Sequence, residues 1–117
     1  MDEIFKSNGL TLKIQELENH VTVHWEGRST QRDSSVFLMP IFNDLLNKHK
    51  KIILNFKNLE FMNSSTITPI LKLMDRIKNT KDEVLIIYAI DLKWQELSFS
   101  ALEIFKTSDH RVDIIGE

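Results

Sequence analysis

Cysteine is absent from the 117 residues, which excludes disulfides, thiolate zinc sites and thiol catalysis. Glycine occurs three times and proline twice. So few glycines cannot build a dinucleotide or phosphate-binding loop, and no His-Glu-x-x-His or Gly-x-Ser-x-Gly run is present. No apolar stretch approaches the length of a bilayer-spanning helix. Low-complexity tracts, linkers and internal repeats are also missing. Neither sign of charge dominates: 15 basic and 17 acidic side chains leave a formal net charge of −2. That balance argues against a nucleic-acid binder that works by bulk electrostatics. The basic run Lys48-His49-Lys50-Lys51 is short and reads as a solvated helix end followed by a strand start. His20, His24, His49 and His110 are too scattered for a metal site, and neither a metal nor another cofactor is expected. The opening residues Met1 to Lys6 lack the apolar core of a secretory signal, so a cytoplasmic location away from membranes is expected.

What is present suits one compact domain over residues 1–117. Hydrophobic residues make up 42% and charged residues 27%, enough for a core under an ordinary polar surface. Leu10, Leu12 and Ile14 alternate with polar neighbours, as do Val21, Val23 and Trp25, and period-two alternation predicts two half-buried strands. Asn19 is the best turn residue between them, and Gly27 is expected to end the second strand. Ile52-Ile53-Leu54-Asn55-Phe56 and Val84-Leu85-Ile86-Ile87-Tyr88-Ala89 are nearly continuous apolar runs, which predict central strands covered on both faces. Lys57 to Met62 is expected to be extended, with Leu59 and Phe61 inward.

Three helices are expected between these strands. Asp33, Ser34 and Ser35 can cap the first, whose apolar side is Val36, Phe37, Ile41, Phe42, Leu45 and Leu46; Pro40 implies a kink or a late start. Asn63-Ser64-Ser65-Thr66 supplies start chemistry for the second. Its predicted inward stripe is Ile67, Ile70, Leu71, Met74 and Ile77, with Pro69 in the first turn. Asp91 is expected to cap the third, with Trp94, Leu97, Ala101, Leu102 and Phe105 inward and Phe99 off the main stripe. A short last strand is predicted at Val112 to Ile115. The element order β-β-α-β-α-β-α-β implies an α/β fold with a mixed central sheet of about five strands.

Lys51 to Met74 reads KIILNFKNLEFMNSSTITPILKLM. This segment resembles the signature of the STAS domain, shared by sulfate transporter tails and anti-sigma factor antagonists. In that family a buried strand runs through a short extended segment into an Asp-Ser-Ser-Gly-type turn that starts a helix. The corresponding turn here is Asn63-Ser64-Ser65-Thr66, and the order of elements fits the family fold from Leu10 to Ile115. A response-regulator receiver would instead begin β-α and carry an acidic cluster near the end of its first strand.

The resemblance implies a partner switch rather than an enzyme. The unmodified domain would bind a serine/threonine kinase that doubles as an anti-sigma factor. Phosphorylation would release it, and a PP2C-type phosphatase would reset it. The implied acceptor is Ser65, with Ser64 and Thr66 as alternatives. The implied binding surface is the Asn63-to-Thr66 turn, the start of the second helix, and the loop from Arg28 to Asp33. A homodimer is also compatible. Two positions depart from the family pattern: Asn63 stands where an aspartate is usual, and Thr66 where a glycine is usual. Without the resemblance, Ser64 and Ser65 read as helix-capping residues, contributing on the order of 1 kcal/mol. The same fold without a switch would be an adaptor or a small-ligand sensor.

Overall fold

The computed structural model describes residues 2–117. Six strands form one mixed sheet: β1 (Asp2–Ser7), β2 (Leu10–Glu16), β3 (His20–Ser29), β4 (Lys51–Met62), β5 (Val84–Tyr88) and β6 (Val112–Gly116). Three helices connect the last four strands: α1 (Ser35–Asn47), α2 (Ser64–Lys78) and α3 (Lys93–Ser100), the last continued by a 3-10 helix over Ala101–Phe105. Each strand lies beside its sequence neighbour, in the order β1-β2-β3-β4-β5-β6. The first two pairings are antiparallel and the other three parallel.

The predicted α/β class and mixed sheet are present, but the chain opens with three strands rather than two, and the sheet has six strands rather than about five. β1 joins β2 through Asn8 and Gly9, whose φ angles are 47° and 92°. Two positive φ values match the twist of a tight hairpin, and Asn-Gly is the pair that adopts them most readily. Gly27 does not end β3, which runs on to Ser29. Its φ is 85°, and a Cβ there would lie 2.1 Å from the Gly9 carbonyl oxygen. Glycine is therefore required where the first hairpin turn crosses the strand.

Sheet coverage also differs from the prediction. A parallel strand connection is nearly always right-handed. When each crossover also steps to the next strand in one direction, every helix returns to the same face. The structure follows that rule. Val21, Val23, Trp25, Ile52, Leu54, Phe56, Val84, Ile86, Val112 and Ile114 share a single core with residues of all three helices. The alternate residues Ile53, Asn55, Leu85 and Ile87 are only half-buried. The central strands are thus covered on one face, not two.

Within this core the helices sit at rotations the apolar stripes only partly indicated. In α1, Val36 is 73% exposed while Leu38 is buried, and the helix continues through Pro40. In α2 the inward row is Thr66, Pro69, Ile70, Leu73, Met74 and Ile77, leaving Ile67 and Leu71 half-buried. In α3 and the 3-10 helix that follows it, Trp94 and Leu102 face the core as predicted, but the rest of the predicted face is not kept. Phe99 is fully buried and Leu97 is 63% exposed, with Ala101 and Phe105 also outside. The Phe99 ring lies 4.7 Å from Phe56 and 5.7 Å from Tyr88, while Phe56 is 4.6 Å from Trp25. This aromatic chain links α3 to the middle of the sheet. Asp91 lies in the preceding turn, and Leu92 is the residue at the helix boundary.

β4 holds more residues than its partner. His24 pairs with Asn55, but Glu26 pairs with Asn58 and Arg28 with Phe61. Each irregularity adds one residue to β4 and inverts the in-out alternation. Leu59 and Met62 therefore face the core, and Phe61 faces outward, 38% exposed, contrary to expectation.

Candidate functional site

The carboxyl ends of β3 and β4 deliver the chain directly to the starts of α1 and α2. In open α/β sheets ligands bind outside the carboxyl ends of the strands. Asn63 is the boundary residue of α2, in extended conformation with φ −88° and ψ 174°. Its amide donates to the Ser29 carbonyl at 3.0 Å, so the end of β3 fixes where α2 begins. Asp33 and Ser34 lead into α1: the Asp33 carboxylate accepts from the Ser35 amide at 3.2 Å, and the Leu38 amide donates to the Ser34 carbonyl at 2.9 Å.

Four hydroxyls converge between the two helix starts. Ser29 and Thr66 approach to 2.7 Å, Ser34 and Ser65 to 2.9 Å, and Ser34 and Thr66 to 3.2 Å. Thr66 also donates to the Asn63 side-chain oxygen at 2.9 Å. Ser29, Ser34 and Thr66 are buried, and Gln95 is the other buried polar residue among those described. Buried hydroxyls need partners, because an unsatisfied one costs about 1–3 kcal/mol. Here they satisfy one another. The Ser65 hydroxyl reaches three further partners: the Gln31 carbonyl at 2.8 Å, the Asn63 side-chain oxygen at 3.0 Å and the Ser34 amide at 3.4 Å. The Asn63 side-chain amide donates to the same Gln31 carbonyl at 2.8 Å. Gln31 in turn donates from its side chain to the Ser7 hydroxyl of β1.

The predicted site residues thus occupy one corner but not one environment. Ser64 is exposed, Ser65 half-buried and Thr66 fully buried at the start of α2, which makes Thr66 the least accessible of the three hydroxyls. Arg28 and Asp33 are exposed nearby; the Arg28 guanidinium lies 4.9 Å from the centre of the Phe61 ring. Val36 adds exposed apolar surface at the first turn of α1. Among the described residues, the hydrogen-bond partners of Ser65 are Ser34, Gln31 and Asn63, none of them a histidine or a carboxylate.

Ser29 and Gln31 lie within the expected Arg28-to-Asp33 surface, but neither was singled out by the sequence. Ser29 had a signal, since it lies in phase with Val21, Val23 and Trp25 once β3 is allowed to continue through Gly27. Gln31 acts mainly through its backbone carbonyl, which leaves no trace in residue type.

Fold and corner together define a class: a one-sided α/β sheet domain with a hydroxyl-rich junction where two helices begin. No protein-family model matches the chain, and no curated protein matches it.

Proposed function

We propose that the protein is a regulatory protein-binding switch of the STAS type, similar to anti-sigma factor antagonists. The observation that carries this reading is the position of Ser64 and Ser65 at the start of α2, on a rim flanked by exposed Arg28, Phe61 and Val36. A phosphate there would bring about −1.5 to −2 charge units. The domain itself tolerates such charge beside a helix N-terminus. A partner packed on Val36 and Phe61 would not, because the charge would have to be desolvated in the interface. The partner is a serine/threonine kinase that also serves as an anti-sigma factor, and a PP2C-type phosphatase restores the binding form, both in the cytoplasm.

The experiment is to incubate the protein with ATP and the kinases of its own cell, and to map phosphate by mass spectrometry. Modification is expected at Ser65 or Ser64. Ser65→Asp is expected to lose the partner while keeping the native circular dichroism spectrum. A chain that binds its partner equally well before and after Ser65→Asp would not be a switch.

A second reading, a non-phosphorylated adaptor or sensor of the same fold, is favoured by one observation. The Asn63 amide and the Ser65 hydroxyl both hold the Gln31 carbonyl, so the loop from 30 to 34 lies tied against the serine turn.

A further inference from the structure

We propose that Asn63 and Ser65 form a two-point latch on the Gln31 carbonyl, clamping the loop 30–34 against the start of α2, and that negative charge at either residue opens it. The inference rests on the reading of this corner as the recognition face, and it names how that face is regulated.

Proton accounting carries the argument. The Gln31 carbonyl receives the Asn63 side-chain amide and the Ser65 hydroxyl, each at 2.8 Å. Ser65 has one proton and three acceptors in reach, Gln31 O, Asn63 Oδ1 and the Ser34 hydroxyl. Thr66 satisfies Asn63 Oδ1, and the Ser65 proton goes to its nearest acceptor, the Gln31 carbonyl at 2.8 Å against 3.0 Å for Asn63 Oδ1. The lone pairs of the Ser65 oxygen then face the Ser34 amide and hydroxyl. One carbonyl thus joins two donors of α2 to the loop, and one serine oxygen joins α2 to the start of α1. Gln31 is pinned from its other side by its bond to Ser7.

Aspartate at position 63 would keep the shape and remove the donor. A carboxylate oxygen would then face the Gln31 carbonyl where the amide stood, and two acceptors at that distance repel. A phosphate on Ser65 would remove the other donor and add charge to the same place. Either change frees the loop that carries Arg32 and Asp33 and leads into Val36. A charge at this corner therefore rearranges the recognition face as well as repelling a partner. Asn63, which departs from the family pattern, is the residue that makes the closed state complete.

The test uses the isolated chain, with amide hydrogen exchange followed by mass spectrometry. Asn63→Asp and Ser65→Ala are expected to speed exchange over residues 31–37 by on the order of tenfold, the equivalent of one lost buried hydrogen bond, with β4 and β5 unchanged. Ser64→Ala, which removes a hydroxyl outside the network, is expected to leave 31–37 as in the parent. In Asn63→Asp the protection is expected to return when acid protonates the introduced carboxyl, which then donates to Gln31 again. Were Asn63→Asp to unfold the whole domain, Ser65→Ala alone decides. Unchanged exchange over 31–37 in folded Asn63→Asp, or in Ser65→Ala, overturns the latch. Because no kinase or partner is present, a latch that behaves as described beside a chain that no kinase modifies would sink the switch and leave the latch standing.

Discussion

Gln95 shows what a single buried polar residue can do in this fold. Its side-chain oxygen accepts from the Ala89 amide at 2.8 Å, and its side-chain nitrogen donates to the carbonyls of Phe56 and Leu59 at 2.6 and 2.9 Å. β4 continues past the end of its pairing with β5, which stops at Asn55 and Ile87. The backbone at Phe56 and Leu59 therefore has no β5 partner, and Gln95 supplies the missing donor from α3. Gln95→Leu keeps the bulk but leaves three buried backbone groups unpaired. At about 1–3 kcal/mol for each orphaned group, the expected loss is about 3 kcal/mol or more, read as a lower urea midpoint. An unchanged midpoint would mean that water or backbone movement replaces the bridge.

At the scale of elements, charge ties the far end of the sheet together. The Glu16 carboxylate, at the end of β2, accepts from Lys50 at 2.9 Å and from Lys48 at 3.1 Å. Lys50 also donates to the Leu17 carbonyl at 2.7 Å. The turn between β2 and β3 is thereby joined to the segment between α1 and β4. The hydrogen bonds from Lys50, then Lys48, hold the Glu16 carboxyl below its ordinary value of 4.5. The Glu16 hydrogen bond, in turn, holds Lys48 above its ordinary 10.5. A carboxyl lowered on folding stabilises the folded state above its unfolded pKa, and that contribution disappears as pH falls through the folded value. A raised lysine contributes below 10.5 and loses that contribution only above it. The difference in urea midpoint between the parent and Glu16→Gln is therefore expected to be constant from pH 6 to 9 and to shrink towards pH 3. A difference that stays the same at pH 3 would rule out the ion pairs as its source.

The elements also differ in how openly the sequence declares them. β4, β5 and α2 are long or strongly patterned, and their types were legible. β1 was missed although Asn8-Gly9 marks its turn, because Asp2, Glu3 and Lys6 mask a strand whose inward side chain against the core is Phe5. α3 was found but rotated. Trp94, Leu97 and Phe105 suggest a stripe, yet the eight-residue helix gives way to a 3-10 helix at Ala101, which changes the period from 3.6 to 3.0 within the window. The serine turn was legible as a helix start. The loop held over it was not, because its central contact is a backbone carbonyl, and no pattern of side chains records where a carbonyl points.

For the molecule as a whole, the decisive feature is that sequential strand order and uniform crossovers place every helix on one side. Apolar runs such as those in β4 and β5 ordinarily mean cover on both faces; here they coexist with an open face. Ile86 and Ile87 provide a direct comparison: they are the same residue type on the same strand. Ile86 sits between Leu54 and Ile114 in the core, and Ile87 between Asn55 and Ile115 on the open face. Truncating a fully buried isoleucine to alanine costs about 2–5 kcal/mol, because a cavity is left behind. On the open face solvent fills the space, and only part of the side chain's contact area is lost. Ile86→Ala is therefore expected to lower the unfolding free energy by at least twice as much as Ile87→Ala in parallel urea titrations. Equal losses would mean that something covers the second face in solution, and the one-sided architecture would then not be the resting state of the molecule.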